Sequence, residues 1–312
     1  MTEKIPLLVI SPLLPEHEAR LADLFDLTYA PTPDKRAAAL TRDGARFRAL
    51  LTIGVIPVSE EEIAAMPALE LACCMGVGYE GLPMAALRAR GIVTANGAGT
   101  NENTVADHTF GLIIGIVRNI RLLDQQCRAG IWRDAVPQPP QVSGRRLGIF
   151  GMGSIGRQIA RRAAGFDMPI GYHNRKPMEG STDTYFDDVV KLAEWADILV
   201  CVAPGGPATR HKINAQVLDA LGPTGYLVNV GRGSLVDTDA LAAALRDRRI
   251  AGAAIDVYES EPHPPQQLIG LDNLIITPHL AGWSPEATQN SINRFIANAQ
   301  GHFEGRGVVS PI

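Results

Sequence analysis

Short apolar runs alternate along the first part of the chain with segments in which apolar residues recur every three or four positions. The runs are typical of buried strands and the segments between them of amphipathic helices. The runs are LLVI at 7–10, LLTI at 50–53, LELACC at 69–74 and GIVTA at 91–95, and the helical segments are PEHEARLADLF, SEEEIAAM and PMAALRAR. This alternation predicts a parallel sheet covered by helices.

A long helix is predicted from about 103 to 120, with Thr104 as its N-cap. After the loop QPPQVSG the alternation restarts with RLGIF, MPIGYH, DILVCV, YLVNV, AGAAIDVY and LIIT as strands. The pattern predicts an α/β fold of two doubly wound parallel-sheet, Rossmann-like domains. The last helical segment has only the first domain to pack against, so residues 1–98 and 285–312 form one domain around an inserted domain, 99–284.

Composition and charge narrow the class of protein. Of 312 residues, 46% are hydrophobic and 20% charged, as in a soluble globular enzyme with two cores. The net charge of −4 gives no reason to expect nucleic acid or an anionic membrane as a partner. No apolar stretch approaches the ~20 residues of a membrane span, so a cytoplasmic protein is expected. The four cysteines lack CxxC spacing, which favours buried free thiols and no metal site.

The segment GMGSIG, Gly151 to Gly156, lies between a predicted strand and a predicted helix. Gly151 permits a tight turn, Gly153 lets a diphosphate approach the backbone, and Gly156 allows the helix to pack closely on the strand. The start of the helix then presents free N–H groups to the phosphates. In this setting the glycines predict a dinucleotide site, although a glycine-rich loop without a ligand is the alternative.

The next strand ends in Asn174, Arg175 and Lys176, where NAD-binding sites usually carry an acid that bonds the ribose. Arg175 can grip a 2′-phosphate in a bidentate fork, Lys176 adds a point charge, and Asn174 can still bond the ribose. The segment therefore predicts NADPH rather than NADH, with NADH possible but weaker. The alternative is that both cations are solvated loop residues.

Three further strand ends carry Arg232, Glu261 and His279. A 2-oxo acid needs a cation for its carboxylate and ketone oxygens and a proton donor for the developing alkoxide. Arg232 and His279 can supply these, and Glu261 can hydrogen-bond the far imidazole nitrogen and favour the protonated ring. Each residue alone could be a turn residue, a solvated loop end or an ordinary buried imidazole, but together they favour a catalytic site.

Six motifs resemble the D-isomer-specific 2-hydroxyacid dehydrogenases over nearly the whole chain. They are MGVGYEGLP, VADHTFGLIIGIVR, GMGSIG, NVGRGSLVDTDAL, IDVYESEP and TPHLAGW. Within the family the chain looks closest to the NADPH-dependent glyoxylate, hydroxypyruvate and hydroxyphenylpyruvate reductases. Asp107 stands where Glu is usual, and CVAPGGPATRH differs from the usual segment under the adenine.

The resemblance implies that residues 1–98 and 285–312 form a flavodoxin-like substrate domain. It also implies that 99–284 form the NADP-binding Rossmann domain, with a helix for homodimerisation. The implied catalytic residues are Arg232, Glu261 and His279. The implied cofactor contacts are Gly151, Met152, Gly153, Ser154, Ile155, Gly156, Asn174, Arg175, Lys176, Ala203, Val230, Arg232, Asp256, His279 and Gly282. The implied substrate contacts are the amides of Val77 and Gly78 with Arg232, His279 and Trp283, although Trp283 could equally be a packing residue.

The function predicted is NADPH-dependent reduction of a small 2-oxo acid, such as glyoxylate or hydroxypyruvate, to a 2-hydroxy acid. An alternative within enzymes is an aryl-pyruvate reductase with the same trio and a wider pocket. An alternative from another class is a cofactor-sensing interaction protein resembling corepressors that reuse the fold. Binding of NADPH without turnover of any 2-oxo acid would favour this last hypothesis.

Overall fold

The structure, a computed structural model, describes residues 4–312. Its strands are β1 (Pro6–Val9), β2 (Asp26–Tyr29), β3 (Ala49–Thr52), β4 (Leu71–Cys74), β5 (Val93–Ala95), β6 (Leu147–Phe150), β7 (Ile170–His173), β8 (Thr184–Tyr185), β9 (Ile198–Cys201), β10 (Tyr226–Asn229), β11 (Gly252–Ile255) and β12 (Leu274–Ile276). Its α-helices are α1 (Pro15–Leu24), α2 (Pro33–Asp43), α3 (Glu60–Ala64), α4 (Met84–Ala89), α5 (Glu102–Val117), α6 (Ile120–Arg128), α7 (Ser154–Ala163), α8 (Val189–Trp195), α9 (Ala215–Leu221), α10 (Thr238–Arg246) and α11 (Pro285–Phe303).

The predicted fold class is confirmed. One compact unit comprises residues 4–101 with Trp283–Ile312, and the other is Glu102–Gly282. The first contains a five-stranded sheet of order β2-β1-β3-β4-β5, and the second a seven-stranded sheet of order β12-β11-β10-β9-β6-β7-β8. The paired strands run parallel in both sheets.

Successive side chains of a strand point to opposite faces of its sheet, so they belong to two separate apolar clusters, one on each face. In the first unit Leu8 and Leu50 belong to one cluster. Leu7 and Leu51 belong to the other, into which α11 inserts Phe295. Because both faces are buried, these strands are apolar throughout rather than alternating, as expected for a parallel sheet.

Several elements differ from the sequence prediction. The strand β2 and the helices α2 and α9 were not predicted, because their short or alanine-rich apolar patterns are weak. The predicted cap Thr104 is wrong, since α5 begins at Glu102 and Thr104 lies inside its first turn. The helix also stops before 120: Asn119 adopts a left-handed conformation (φ 54°), and α6 follows.

The cysteines are free, as predicted, but Cys127 is exposed rather than buried. It lies on α6, none of whose side chains is fully buried within the chain, so the prediction of a buried thiol is wrong for Cys127. Within residues 4–312, no helix is both long and apolar enough to cross a membrane.

Candidate active site

The glycine turn between β6 and α7 has the backbone that its sequence predicts. Gly151 has a φ of 108°, and a Cβ added there would lie 2.5 Å from the Ala203 nitrogen. A Cβ added at Gly156 would lie 2.5 Å from the Gly151 oxygen, so only glycine lets α7 approach β6 this closely. A Cβ added at Gly153 would meet no atom within 4 Å, so this glycine faces open space.

The start of α7 suits a bound diphosphate. The helix begins at Ser154, its N-cap is Gly153, which offers no side chain to the first N–H groups, and its first turn carries no acid. Met152 is buried, whereas Ser154 is exposed and Ile155 half-buried. Uncapped N–H groups and the positive end of the helix dipole bind anions, so these residues fit the phosphates of a dinucleotide.

The side chain of Asn174, which directly follows β7, hydrogen-bonds the backbone of this turn. Its Oδ1 accepts a hydrogen bond from the Met152 N–H at 2.8 Å, and its Nδ2 lies 3.4 Å from the Met152 oxygen. The side chain predicted to contact the ribose therefore also holds the glycine turn. Arg175 and Lys176 follow it in the chain, and both are exposed.

Further predicted site residues follow β9, β10, β11 and β12, which are neighbours in the parallel sheet. Ala203 and Val230 are buried apolar side chains beyond β9 and β10. Asp256 directly follows β11 and is 1% exposed. Because the carboxyl ends of parallel strands share one edge, these residues lie along the same edge as the glycine turn.

Arg232, Glu261 and His279 come together at this edge. The imidazole Nδ1 of His279 lies 2.6 Å from Glu261 Oε2, while Glu261 Oε1 accepts the Tyr258 N–H at 2.8 Å. Arg232 Nη1 donates to the Gly231 oxygen at 2.8 Å, and its positive charge acts on both Glu261 and His279. Since Nδ1 is engaged by the carboxylate, Nε2 is the imidazole nitrogen left to act on a substrate.

The contact between Glu261 and His279 shifts the pKa of both side chains. The hydrogen bond to Glu261 raises the pKa of His279, against the opposing effects of burial and of Arg232. Burial raises the pKa of Glu261, but the hydrogen bonds from His279 and Tyr258 together with nearby positive charge outweigh it, and the pKa is lowered overall. The carboxyl therefore stays ionised while the imidazole holds its proton to higher pH.

The predicted substrate loop belongs to the first unit and follows β4. Val77 is exposed and Gly78 partly buried. The Val77 oxygen accepts a hydrogen bond from Asn96 Nδ2 at 2.7 Å. A Cβ added at Gly54 would lie 2.5 Å from the Gly78 oxygen, so the loop packs closely against the segment that follows β3. Gly282 is partly buried, and the Trp283 indole is 78% exposed, which argues against a packing role within the chain.

Asn96, His108 and Thr277 were not predicted as residues of the site. Asn96 and Thr277 each follow a strand, β5 and β12, and a polar residue at a strand end is a signal that could have found them. His108 lies on α5 and bonds Thr277 across 169 residues, so only the folded chain reveals it.

The sequence model of the family described as "D-isomer specific 2-hydroxyacid dehydrogenase, NAD binding domain" matches residues 110–281, more than half of the chain. The chain belongs to this family. The protein is thus an oxidoreductase with an NAD-binding domain, and the predicted family and enzyme class are confirmed.

The chain is also similar to individual members of the family. It is 36% identical to glyoxylate/hydroxypyruvate reductase HPR3 of Arabidopsis thaliana, over 87% of this chain and 84% of that one. It is 34% identical to hydroxyphenylpyruvate reductase of Plectranthus scutellarioides over 99% of both chains. A solved NADPH-dependent glyoxylate/hydroxypyruvate reductase of Sinorhizobium meliloti, in complex with NADP and malonate, has a TM-score of 0.90 and 35% identity, covering 99% of this chain and 97% of that one.

Proposed function

We propose that the protein is an NADPH-dependent reductase of small 2-oxo acids such as glyoxylate and hydroxypyruvate. The observation that carries this proposal is the meeting of Arg232, Glu261 and His279 on the strand edge that also bears the glycine turn, with Glu261 and His279 2.6 Å apart. The similarity to two glyoxylate/hydroxypyruvate reductases supports it.

Each member of the trio has a separate role in the proposed reaction. The Arg232 guanidinium binds the substrate carboxylate and polarises the ketone, because a planar cation matches both oxygens. His279 donates a proton from Nε2 to the ketone oxygen as negative charge develops there. Glu261 fixes the ring through Nδ1 and keeps it protonated. When bound, NADPH supplies the hydride.

We assign residues 99–284 to the NADP-binding domain and residues 1–98 and 285–312 to the substrate-binding domain. In the first, the turn from Gly151 to Gly156 holds the diphosphate, Arg175 and Lys176 the 2′-phosphate, and Asp256 the carboxamide. The cofactor site is also lined by Ala203, Val230 and Gly282. In the second, the Val77 and Gly78 amides bind the substrate carboxylate. Trp283, which lies within residues 99–284, borders the substrate.

The catalytic assignment is tested by assaying a panel of 2-oxo acids with NADPH and recording the loss of NADPH absorbance. His279→Gln should lower kcat by about 10²–10⁴-fold, the usual contribution of a general acid, and leave the Kd for NADPH within twofold. Loss of NADPH binding with the same substitution would contradict the assignment. NADPH binding without turnover of any 2-oxo acid by the parent would refute the proposed function.

The cofactor assignment is tested by the double variant Arg175→Asp, Lys176→Ala. Removing a fork of charge-assisted bonds should cut the preference for NADPH over NADH by about tenfold or more. Arg161→Asp is the matched control, because Arg161 is an exposed cation in the last turn of α7, away from the glycine turn. An unchanged preference in the double variant refutes the phosphate site.

A second candidate is reduction of an aryl pyruvate, favoured by the 34% identity with hydroxyphenylpyruvate reductase over the whole chain. The ratio of kcat/KM for hydroxypyruvate and for hydroxyphenylpyruvate decides between the two. A ratio below one assigns the protein to the aryl-pyruvate reductases.

We also propose a cytoplasmic homodimer. Free cysteines support a reducing compartment. Exposed apolar side chains after α5, namely Ile120, Ile131 and Trp132, support a protein partner at that segment. Trp132→Glu should shift the mass measured by light scattering from dimer to monomer. Ile269→Glu, at an exposed isoleucine elsewhere, should leave it unchanged.

A further inference from the structure

The backbone of His279 adopts a left-handed conformation that must be held in place. Its φ is 52°, a region that residues with a Cβ rarely adopt because the Cβ crowds the carbonyl oxygen. The His279 N–H bonds the Asp256 main-chain oxygen at 2.8 Å. The next two N–H groups, of Leu280 and Ala281, bond the Asp256 carboxylate at 3.0 and 2.8 Å. The loop conformation therefore depends on Asp256.

The orientation of the Asp256 carboxylate depends in turn on Thr277. The Thr277 hydroxyl lies 2.6 Å from Asp256 Oδ1, the oxygen that also accepts the Leu280 N–H. On its other side the same hydroxyl lies 3.1 Å from His108 Nε2. His108 Nε2 is 3.7 Å from Asp256 Oδ1, too far for a direct hydrogen bond. The imidazole of His108 thus reaches Asp256 only through Thr277.

The directions of these hydrogen bonds follow from the donors available. Thr277 has one hydroxyl proton, and an Asp256 carboxylate that already accepts two N–H groups takes it. The hydroxyl oxygen must then accept from His108, which requires the hydrogen on His108 Nε2. A single chain of donors runs from His108 through Thr277 to Asp256.

The helix that carries His108 is itself fixed within the same unit. Asp107, the neighbouring residue on α5, pairs with Arg162 of α7 at 2.6 Å. Phe110 stacks on Phe166, just beyond α7, with ring centroids 5.1 Å apart. His108 is therefore a side chain on a rigid support, with 22% of it exposed.

We propose that His108 is a positioning residue for His279. Its Nε2–H fixes the Thr277 hydroxyl, which fixes the Asp256 carboxylate, which holds the loop that aims the His279 imidazole. The inference rests on the proposed function, because the aim of the imidazole matters for proton delivery. His108 does not touch the reacting atoms, so its loss affects turnover more than binding.

Steady-state kinetics on hydroxypyruvate with four variants test this chain. His108→Leu removes the donor and should lower kcat about fivefold to tenfold, which is the usual contribution of one such hydrogen bond, while KM for hydroxypyruvate stays within twofold. His108→Gln can restore an N–H near Nε2 and should recover kcat to within twofold of the parent. Thr277→Val should match His108→Leu, and the double variant His108→Leu, Thr277→Val should be no worse than either alone.

Hydrogen exchange on the cofactor-free protein gives a readout that does not need turnover. The peptide spanning residues 277–283 should exchange about fivefold to tenfold faster in His108→Leu and Thr277→Val, but not in His108→Gln. If exchange is faster in the two variants but the parent protein is inactive on every 2-oxo acid, the proposed function is refuted and the positioning role is supported. Unchanged exchange and kcat in folded His108→Leu and Thr277→Val, or failure of His108→Gln to recover them, would overturn the inference.

Discussion

Replacement of Asp256 by Asn tests whether one carboxylate holds the loop that carries His279. Asp256 is 1% exposed and accepts hydrogen bonds from Thr277, Leu280 and Ala281. An asparagine of the same shape can keep the two bonds at Oδ1. Its Nδ2 then lies against the Ala281 N–H, so two donors face each other in a buried site.

The cost of this replacement can be worked from those contacts. A hydrogen bond to a charged group contributes about 1.5–3 kcal/mol, and a buried donor left without an acceptor costs about 1–3 kcal/mol. Because these two costs describe the same lost contact and do not add in full, the Asp256→Asn variant should lose about 3 kcal/mol of unfolding free energy. In units of about 150–250 residues, each kcal/mol lowers Tm by about 2–4 °C, so we expect a decrease of about 6–12 °C.

Differential scanning calorimetry without cofactor measures this decrease. Asp237→Asn is the matched control, because Asp237 caps α10 through Ala240 at 3.0 Å and asparagine caps helices equally well. The control should melt within about 2 °C of the parent. A Tm for Asp256→Asn equally close to the parent would refute the view that this carboxylate holds the loop.

Three further predictions follow from the site. Gly153→Ala should fold normally, because a Cβ there meets no atom within 4 Å, but it should weaken NADPH binding about tenfold or more by blocking the diphosphate. Fluorescence titration measures the affinity, with Gly165→Ala, also at a glycine in open space, as the control. An unchanged affinity in Gly153→Ala would contradict the diphosphate site. Glu261→Gln removes the main cause of the raised pKa of His279, so the loss of kcat with rising pH should begin at lower pH in a pH–rate profile; an unmoved alkaline limb would show that Glu261 does not set this pKa. Asn96→Ala frees the Val77 oxygen and should raise KM for the 2-oxo acid about threefold to tenfold while the Kd for NADPH stays constant, and the reverse pattern would count against the substrate loop.

The sequence predicted the strands of both sheets well where they are buried on both faces. Runs such as LLTI and DILVCV stand out because all but one residue of each is apolar, and they overlap β3 and β9. The strand β2 escaped because DLTY has one apolar aliphatic residue and lies at the sheet edge, partly exposed. The break after α5 also escaped, since a left-handed Asn119 leaves no apolar signature.

For the candidate site, the order of the motifs along the chain was enough to predict that Arg232, Glu261 and His279 lie close together, because parallel strands end at one edge of the sheet. What supports the trio could not be predicted in the same way. Asn174 was expected at a ribose, and its bond to Met152 depends on the exact turn geometry. His108 depends on how α5 crosses the sheet, which no local pattern encodes.

The left-handed backbone of His279 has a consequence for mutational scans of this loop. Glycine and alanine both delete the imidazole, so the two replacements differ only in backbone preference. Alanine is normally the more stabilising residue, but here glycine should give the more heat-resistant protein by about 1–2 kcal/mol, because it alone adopts this φ without crowding.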